Sequence, residues 1–169
     1  MNAMCSAQWT HLANLTRTVH LEPMTFDVLD AVMVIESQTH SNPWQRRQFD
    51  DCLNHGHHAR VLLADGVLSG YFVAMMGYEE VHLLTLAVTP DHQRRGHART
   101  MLKALAAWSI EQNARSLWLE LRVSNARAMH VYQAAGFQKI ALRRNYYPTP
   151  DGLCEDAQVM CLTLGVCPT

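Results

Sequence analysis

The chain has 169 residues, of which 49% are hydrophobic and 17% are charged, a size and composition typical of one globular domain. Its 14 basic and 15 acidic residues leave a formal net charge of −1, which argues against a protein that binds nucleic acid mainly by neutralising phosphates. The longest apolar run, 71–78, is far shorter than the roughly 18 residues that a membrane-spanning helix needs. The first twenty residues lack the pattern of a secretion signal, so we expect a cytoplasmic protein.

The cysteines and histidines give no indication of a metal centre. Five cysteines are scattered along the chain without a C-x-x-C pair, and we interpret them as reduced thiols. Three clustered histidines, His55, His57 and His58, have no acid or thiol at ligand spacing. We therefore interpret this cluster as part of a solvated loop.

Hydrophobic periodicity and turn residues divide the chain into alternating helices and strands. Thr25 is a suitable N-cap for the first helix, and Asp65-Gly66 favours a tight hairpin. We interpret residues 1–16 as a flexible leader and residues 17–169 as one domain. The predicted elements are strand 18–22, helices 25–38 and 44–54, strands 61–64, 67–76 and 81–88, helix 96–112, strand 117–123, helix 125–135, and strands 137–142 and 158–164. This order predicts an α/β fold with a mixed, largely antiparallel sheet of about seven strands and about four flanking helices.

The segment before the longest predicted helix favours an anion. It reads Gln93-Arg94-Arg95-Gly96-His97-Ala98-Arg99. Backbone N–H groups at a helix start, together with nearby guanidinium groups, favour a phosphate, and Gly96 permits close backbone approach. The segment is neither a Walker loop nor a G-x-G-x-x-G motif, and by spacing alone it could also be a solvated basic turn.

Three residues after this helix are candidates for chemistry. Glu120 interrupts an apolar strand on the face opposite its hydrophobic neighbours, either as a proton acceptor or as a surface carboxylate paired with Arg122. Asn125 and Tyr132 are two helical turns apart, so they face the same groove. Tyr132 could equally be a core aromatic residue with its hydroxyl at the rim.

These motifs resemble a known family. Segment 93–98 resembles the Q/R-x-x-G-x-G/A signature of the GNAT N-acetyltransferases, although Ala98 stands where glycine is commoner. The similarity extends over about residues 18–164 and is most specific for the RimI-type subgroup, the ribosomal-protein-alanine N-acetyltransferases. The strings that carry it are Asn42-Pro43-Trp44, Phe49, Leu119-Glu120-Leu121-Arg122-Val123-Ser124-Asn125, Tyr132-Gln133-Ala134-Ala135-Gly136-Phe137 and Arg143-Arg144-Asn145-Tyr146-Tyr147-Pro148.

The resemblance implies an acyltransferase that uses acetyl-coenzyme A as its cosubstrate. Glu120 would be the general base and Tyr132 the general acid. The implied coenzyme-binding residues are Leu86, Ala87, Val88, Arg94, Arg95, Gly96, His97, Ala98, Arg99 and Asn125. The implied rim of the acceptor channel consists of Trp44, Arg143, Arg144, Tyr146 and Tyr147, which could otherwise be packed tyrosines and solvated arginines at a strand end.

The implied substrate is the N-terminal α-amino group of a protein, with the N-terminal alanine of a small-subunit ribosomal protein as the first candidate. Two alternatives stay open. One is a GNAT enzyme that acetylates another protein N-terminus, a lysine or a small amine. The other is a non-catalytic ribosome- or RNA-binding module that uses Arg94, Arg95, Arg143 and Arg144. No DNA, membrane or metal partner is expected.

Overall fold

The computed structural model describes residues 18–149 and 151–165, and the predicted leader at 1–16 lies outside them. Within these residues the chain forms seven strands and four α-helices in the predicted order. They are β1 (Val19–Pro23), α1 (Leu29–Thr39), α2 (Arg46–Asn54), β2 (His58–Ala64), β3 (Val67–Met76), β4 (Glu80–Val88), α3 (His97–Glu111), β5 (Ser116–Arg122), α4 (Ala126–Ala134), β6 (Gln138–Pro148) and β7 (Cys154–Thr163), with 3-10 turns at Phe26–Val28 and Pro90–His92.

The strands form one sheet in the order β1-β2-β3-β4-β5-β7-β6. Every neighbouring pair is antiparallel except β4 and β5, which α3 connects in parallel, so the predicted mixed sheet is confirmed. Helices α1 and α2 pack on one face, and α3 and α4 pack on the other. Because β3 is covered on both faces, Tyr71 packs in the core beneath α1 and α2, and Phe72 packs in the core beneath α3 and α4.

The two parallel strands separate at one end of the sheet. β4 pairs with β5 only as far as Leu83 opposite Leu119. Beyond that point β4 continues beside β3 to Val88, while β5 continues beside β7 to Arg122. The separation opens a notch between residues 86–88 and residues 120–122.

Three strands are longer than predicted because tertiary contacts extend them, and one of them is β7, which begins at Cys154 and not at residue 158. β2 begins at His58, whose ring stacks on Trp108 at 3.8 Å, so the interpretation of His58 as part of a solvated loop is wrong. β6 continues beyond residue 142 to Pro148. It stays paired with β7 across an irregularity at Asn145, whose φ is +52°. The arginines and tyrosines after Leu142 therefore lie on a strand.

Both N-terminal helices begin differently from the prediction. Thr25 precedes a 3-10 turn, and its side chain makes no capping hydrogen bond. α2 begins at Arg46, where Gln45 and Gln48 form a reciprocal capping box. The Asp65-Gly66 hairpin is confirmed, with φ values of +53° and +78°.

Neither a membrane span nor a metal cluster is found in the part of the chain that the structure describes. No helix there is long and apolar enough to cross a bilayer, and no three His, Cys, Asp or Glu residues are placed to hold a metal ion. Cys52, Cys154 and Cys161 carry free thiols.

Candidate active site

A groove of about 780 Å³ extends from the notch along the loop before α3 and along α4. Its volume lies within the range of small-molecule sites. Nine of the ten predicted coenzyme-binding residues line it, namely Leu86, Ala87, Val88, Arg94, Gly96, His97, Ala98, Arg99 and Asn125. Arg95 is exposed and does not line the groove.

The loop before α3 has the backbone that an anion site requires. Gly96, the N-cap, has a φ of +86°, and a Cβ there would meet no atom within 4 Å. Glycine is therefore favoured here because of the left-handed backbone conformation, and not because a side chain would clash with another residue. The Gln93 side chain donates a hydrogen bond to the Val88 carbonyl at 3.0 Å and ties the loop to β4. The N–H groups of Ala98 and Arg99, in the first turn of α3, are thus held beside the groove.

The electrostatics of the groove are cationic. Arg94, Arg99 and Arg127 line it, and no Asp or Glu does so among the described residues. Guanidinium groups and a helix start together favour a diphosphate, since both supply N–H donors to its oxygens. The groove therefore fits the diphosphate of a coenzyme.

α4 places the two candidates that the sequence assigned to one groove. Asn125 is the N-cap, and its side-chain oxygen accepts a hydrogen bond from the Ala128 N–H at 3.1 Å. Tyr132 lines the same groove and also packs edge-on against Phe137 at 5.7 Å. A place in the groove and a place as a packed aromatic residue are therefore compatible. Burial raises the pKa of Tyr132 above its usual value, and the hydroxyl keeps its proton at neutral pH.

Glu120 lies across the notch in a polar cluster with residues of β6. Its side chain is 25% exposed, and its carboxylate accepts from the Arg143 guanidinium at 2.8 Å. The carboxylate also accepts a hydrogen bond from the Tyr146 hydroxyl, which raises the pKa of that tyrosine. The Arg143 guanidinium lies 5.4 Å from the centre of the Tyr146 ring.

Arg122 has a different partner from the one that the sequence suggested. It donates to Glu155 at 3.2 Å, and its guanidinium lies 4.7 Å from the centre of the Tyr147 ring. Pairing of Glu120 with Arg122 is therefore wrong. Burial, followed by the charge of Glu120, raises the pKa of Tyr147 to about 12.

The two remaining predicted rim residues, Trp44 and Arg144, lie on different elements of the fold. The Trp44 ring packs against Phe49 at 5.2 Å, and the Trp44 backbone N–H donates to Glu36 at 2.7 Å. Arg144 is exposed on β6. Trp44 thus lies in the connection between α1 and α2, whereas Arg144 lies on the same strand as Arg143.

The sequence analysis missed several residues that line the groove, among them His40, Arg127 and His130. Arg127 and His130 are on the same helix as Tyr132, so extending its helical face would have found them. No pattern pointed to His40. It follows α1 and reaches the groove only because α1 packs against β3 and β4.

The seven-stranded sheet, the separated parallel strands and the cationic loop before the long helix define an acetyltransferase fold. A family model described as the acetyltransferase (GNAT) family matches residues 25–137. The chain belongs to the GNAT family. It is therefore an N-acyltransferase, and its donor is acetyl-coenzyme A.

Three comparisons place the chain within this family. It is 35% identical over 138 residues to the [ribosomal protein bS18]-alanine N-acetyltransferase of Escherichia coli, covering 82% of this chain and 93% of that protein. A putative enzyme of the same name from Bacillus subtilis is 32% identical, with 83% and 93% covered. The crystal structure of the ribosomal-protein-S18-alanine N-acetyltransferase from Escherichia coli matches with a TM-score of 0.82 at 32% identity, covering 89% of this chain and 97% of that one.

Proposed function

We propose that this enzyme transfers the acetyl group of acetyl-coenzyme A to the N-terminal α-amino group of a protein, with the N-terminal alanine of ribosomal protein bS18 as the first candidate. The observation that carries the proposal is the similarity, over nearly the whole length of the relatives, to enzymes that bear this name. Such a substrate would be met in the cytoplasm, where ribosomal proteins are made.

The choice of an α-amino group is supported by its acidity. An α-ammonium group has a pKa of about 7.7 to 8.0, whereas that of lysine is about 10.4. The difference of roughly 2.5 units corresponds to about 3.5 kcal/mol of additional deprotonation cost for lysine. A carboxylate base therefore produces the neutral nucleophile much more easily from a protein N-terminus.

The groove supplies the binding of the donor in this proposal. Arg94 and Arg99, with the first turn of α3, hold the diphosphate. The backbone of residues 86–88 holds the acetyl end, where a backbone N–H near Val88 stabilises the oxyanion. Asn125 binds the coenzyme from the start of α4.

Two side chains handle protons. Glu120, directly or through water, accepts a proton from the substrate ammonium group. Tyr132 donates its proton to the departing sulfur, and its raised pKa supports this role because the hydroxyl stays protonated at neutral pH. Arg143, Tyr146 and Tyr147 form the acceptor rim beside Glu120, and Trp44 contributes from the connection between α1 and α2.

The proposal is tested with purified enzyme, acetyl-coenzyme A and a peptide that has the N-terminal sequence of bS18. We expect release of coenzyme A thiol and a single acetyl group, located by mass spectrometry on the α-amine. The matched control is the same peptide with a blocked α-amine and its lysines intact. Acetylation of that control, or of a polyamine in preference to the free peptide, would favour the alternative substrates. Unchanged acetylation of bS18 in a deletion strain would refute the ribosomal assignment.

A further inference from the structure

A buried carboxylate lies behind the groove. Glu36, on α1, is 1% exposed. It accepts hydrogen bonds from the Trp44 N–H at 2.7 Å and from the Tyr71 hydroxyl, and it lies 2.6 Å from His40 Nδ1. Burial alone would raise the pKa of Glu36, but the hydrogen bonds from these residues outweigh it and leave the pKa below its usual value. The carboxylate is therefore charged at neutral pH.

His40 is the member of this pair that lines the groove. An ionised carboxylate can only accept hydrogen bonds, so Nδ1 of His40 carries the proton that points to Glu36. The Thr39 hydroxyl lies 3.2 Å from the same nitrogen, but it donates its hydrogen to the Ile35 carbonyl at 2.7 Å. Nε2 is then the nitrogen of the neutral imidazole that can accept a proton.

The same hydrogen bonds fix the position of His40 relative to the notch. Tyr71, which donates to Glu36, stands opposite Ala87 in the ladder between β3 and β4. Tyr71 also forms a hydrogen bond with Thr85 of β4, and Ala87 lines the same groove as His40. His40 is thus tied to the strand assigned above to the acetyl end of the donor.

Acetylation of an amine removes two protons from nitrogen. The ammonium group loses one before it attacks the thioester, and the nitrogen loses another after the C–N bond forms and as the C–S bond breaks. Tyr132 supplies one proton to the sulfur and must recover one of these two, so one proton per turnover leaves to solvent. Glu120 can hold only one proton at a time. When its proton returns to Tyr132, the proton that leaves to solvent calls for a second acceptor with access to water.

We propose that His40 is a second proton-accepting catalytic residue and that Glu36 is the residue that positions it. Nε2 of His40 takes one of the two protons from the substrate nitrogen and releases it to water, since 34% of the side chain is exposed. Glu120 takes the other and returns it, through water, to Tyr132, which has protonated the sulfur. The inference rests on the proposed function, because it requires an amine acceptor at the notch.

Many other ionisable groups surround His40, so a pH profile alone does not isolate it. Glu36 and Tyr71 lie behind it. The others line the groove, namely His92 and Arg94 from the loop between β4 and α3, His97 and Arg99 from α3, and Arg127, His130 and Tyr132 from α4. Replacement of the missing imidazole by a soluble one is specific to His40 and is the better test.

The experiment compares His40→Ala with a matched control, His20→Ala. His20 pairs with Glu22 at 3.1 Å, and both side chains are exposed on edge strand β1. With an alanine-initiated peptide, kcat of His40→Ala should fall at least about 10-fold, while the Kd of acetyl-coenzyme A stays unchanged. Added imidazole should restore the rate in proportion to its neutral form. His20→Ala should show neither the loss nor the rescue.

An unchanged kcat in folded His40→Ala, or a loss that imidazole does not reverse, overturns the proposal. If His40→Ala does not fold, Glu36→Gln decides, because the amide keeps an acceptor for Nδ1 without the charge. It should lower kcat and leave the KM of the peptide unchanged, whereas a rise in KM alone would show that Glu36 only shapes the Trp44 connection. A wild-type enzyme that is inactive on the peptide overturns the proposed function as well, whereas active wild type with unimpaired His40→Ala overturns this inference alone.

Discussion

The carboxylate of Glu120 lies 2.8 Å from the guanidinium of Arg143, which comes 23 positions later on another strand. The register explains the pairing, because Arg143 and Arg122 both stand in line with Ala157 of β7. The guanidinium groups of Arg122 and Arg143 therefore both lie near Glu120. Arg122 pairs with Glu155. Of these two arginines, Arg143 is the one that pairs with Glu120, the proposed base.

Glu120→Gln should leave acetyl-coenzyme A binding intact and lower kcat by about 10²-fold or more, the usual scale for loss of an acid–base group. Binding is measured by calorimetry and turnover by thiol release from an alanine-initiated peptide. Glu80→Gln is the matched control, because Glu80 lies at the start of β4 and pairs with His82 at 2.9 Å. Near-normal turnover of Glu120→Gln across pH would exclude the base role.

Tyr132→Phe should lower kcat by about 10²-fold if the hydroxyl protonates the leaving sulfur. The deficit should shrink with an acetyl donor whose thiol has a lower pKa, because such a thiolate leaves without a proton. Because burial raises the pKa of Tyr132, its hydroxyl should stay protonated from pH 7 up to the usual tyrosine pKa of about 10. Wild-type activity should therefore not fall in this range through deprotonation of Tyr132. Tyr78→Phe, at a position 90% exposed, is the control. A deficit that is equal for both donors would argue for a packing role.

Gly70→Ala should affect both stability and donor binding. A Cβ at this position would stand 2.7 Å from the Ala87 carbonyl and 3.2 Å from the Met101 side chain. The backbone at the notch would have to shift, so we expect a loss of about 1 to 3 kcal/mol in the free energy of unfolding, measured with urea, and a higher Kd for acetyl-coenzyme A. In the control Gly77→Ala, the added Cβ is nearest to the Glu80 side chain, at 3.1 Å, and lies 3.5 Å from the Glu80 carbonyl, which is ordinary contact distance. Equal effects at the two positions would contradict the prediction.

His58 should make the free energy of unfolding depend on pH. Burial first, and then the charge of Arg60, lowers the pKa of His58 to about 4. The unfolded chain, with a pKa of about 6.5, binds the proton more readily, so stability falls as the pH drops from 6.5 towards 4. The expected loss between pH 7.5 and 5 is on the order of 1 to 2 kcal/mol.

His58→Phe keeps a ring against Trp108 and removes the titration. The free energy of unfolding is compared with that of wild type at the two pH values. The variant should lose less stability at the lower pH, whereas His20→Gln, which changes an exposed histidine, should behave as wild type. An unchanged pH dependence in His58→Phe would assign the effect to another group.

Several features of the fold and of the candidate site follow from local sequence. Alternation of period 2 places Glu120 on the face opposite Leu119 and Leu121, as the burial of β5 confirms. Asp65-Gly66 determines its hairpin because these residues adopt positive φ values. The cationic loop is also predictable, because its residues are contiguous in the sequence from Gln93 to Arg99.

Contacts between distant parts of the chain were decided only by the tertiary structure. The sequence offered Arg122 as the partner of Glu120, but the register of β5, β7 and β6 gave that place to Arg143. His40 reaches the groove because buried Glu36 ties α1 to β3. Periodicity and turn chemistry act over a few residues and can be read along the chain. Strand register and helix packing depend on all the elements at once, so the pairing of charged groups across the sheet emerges only when they are assembled.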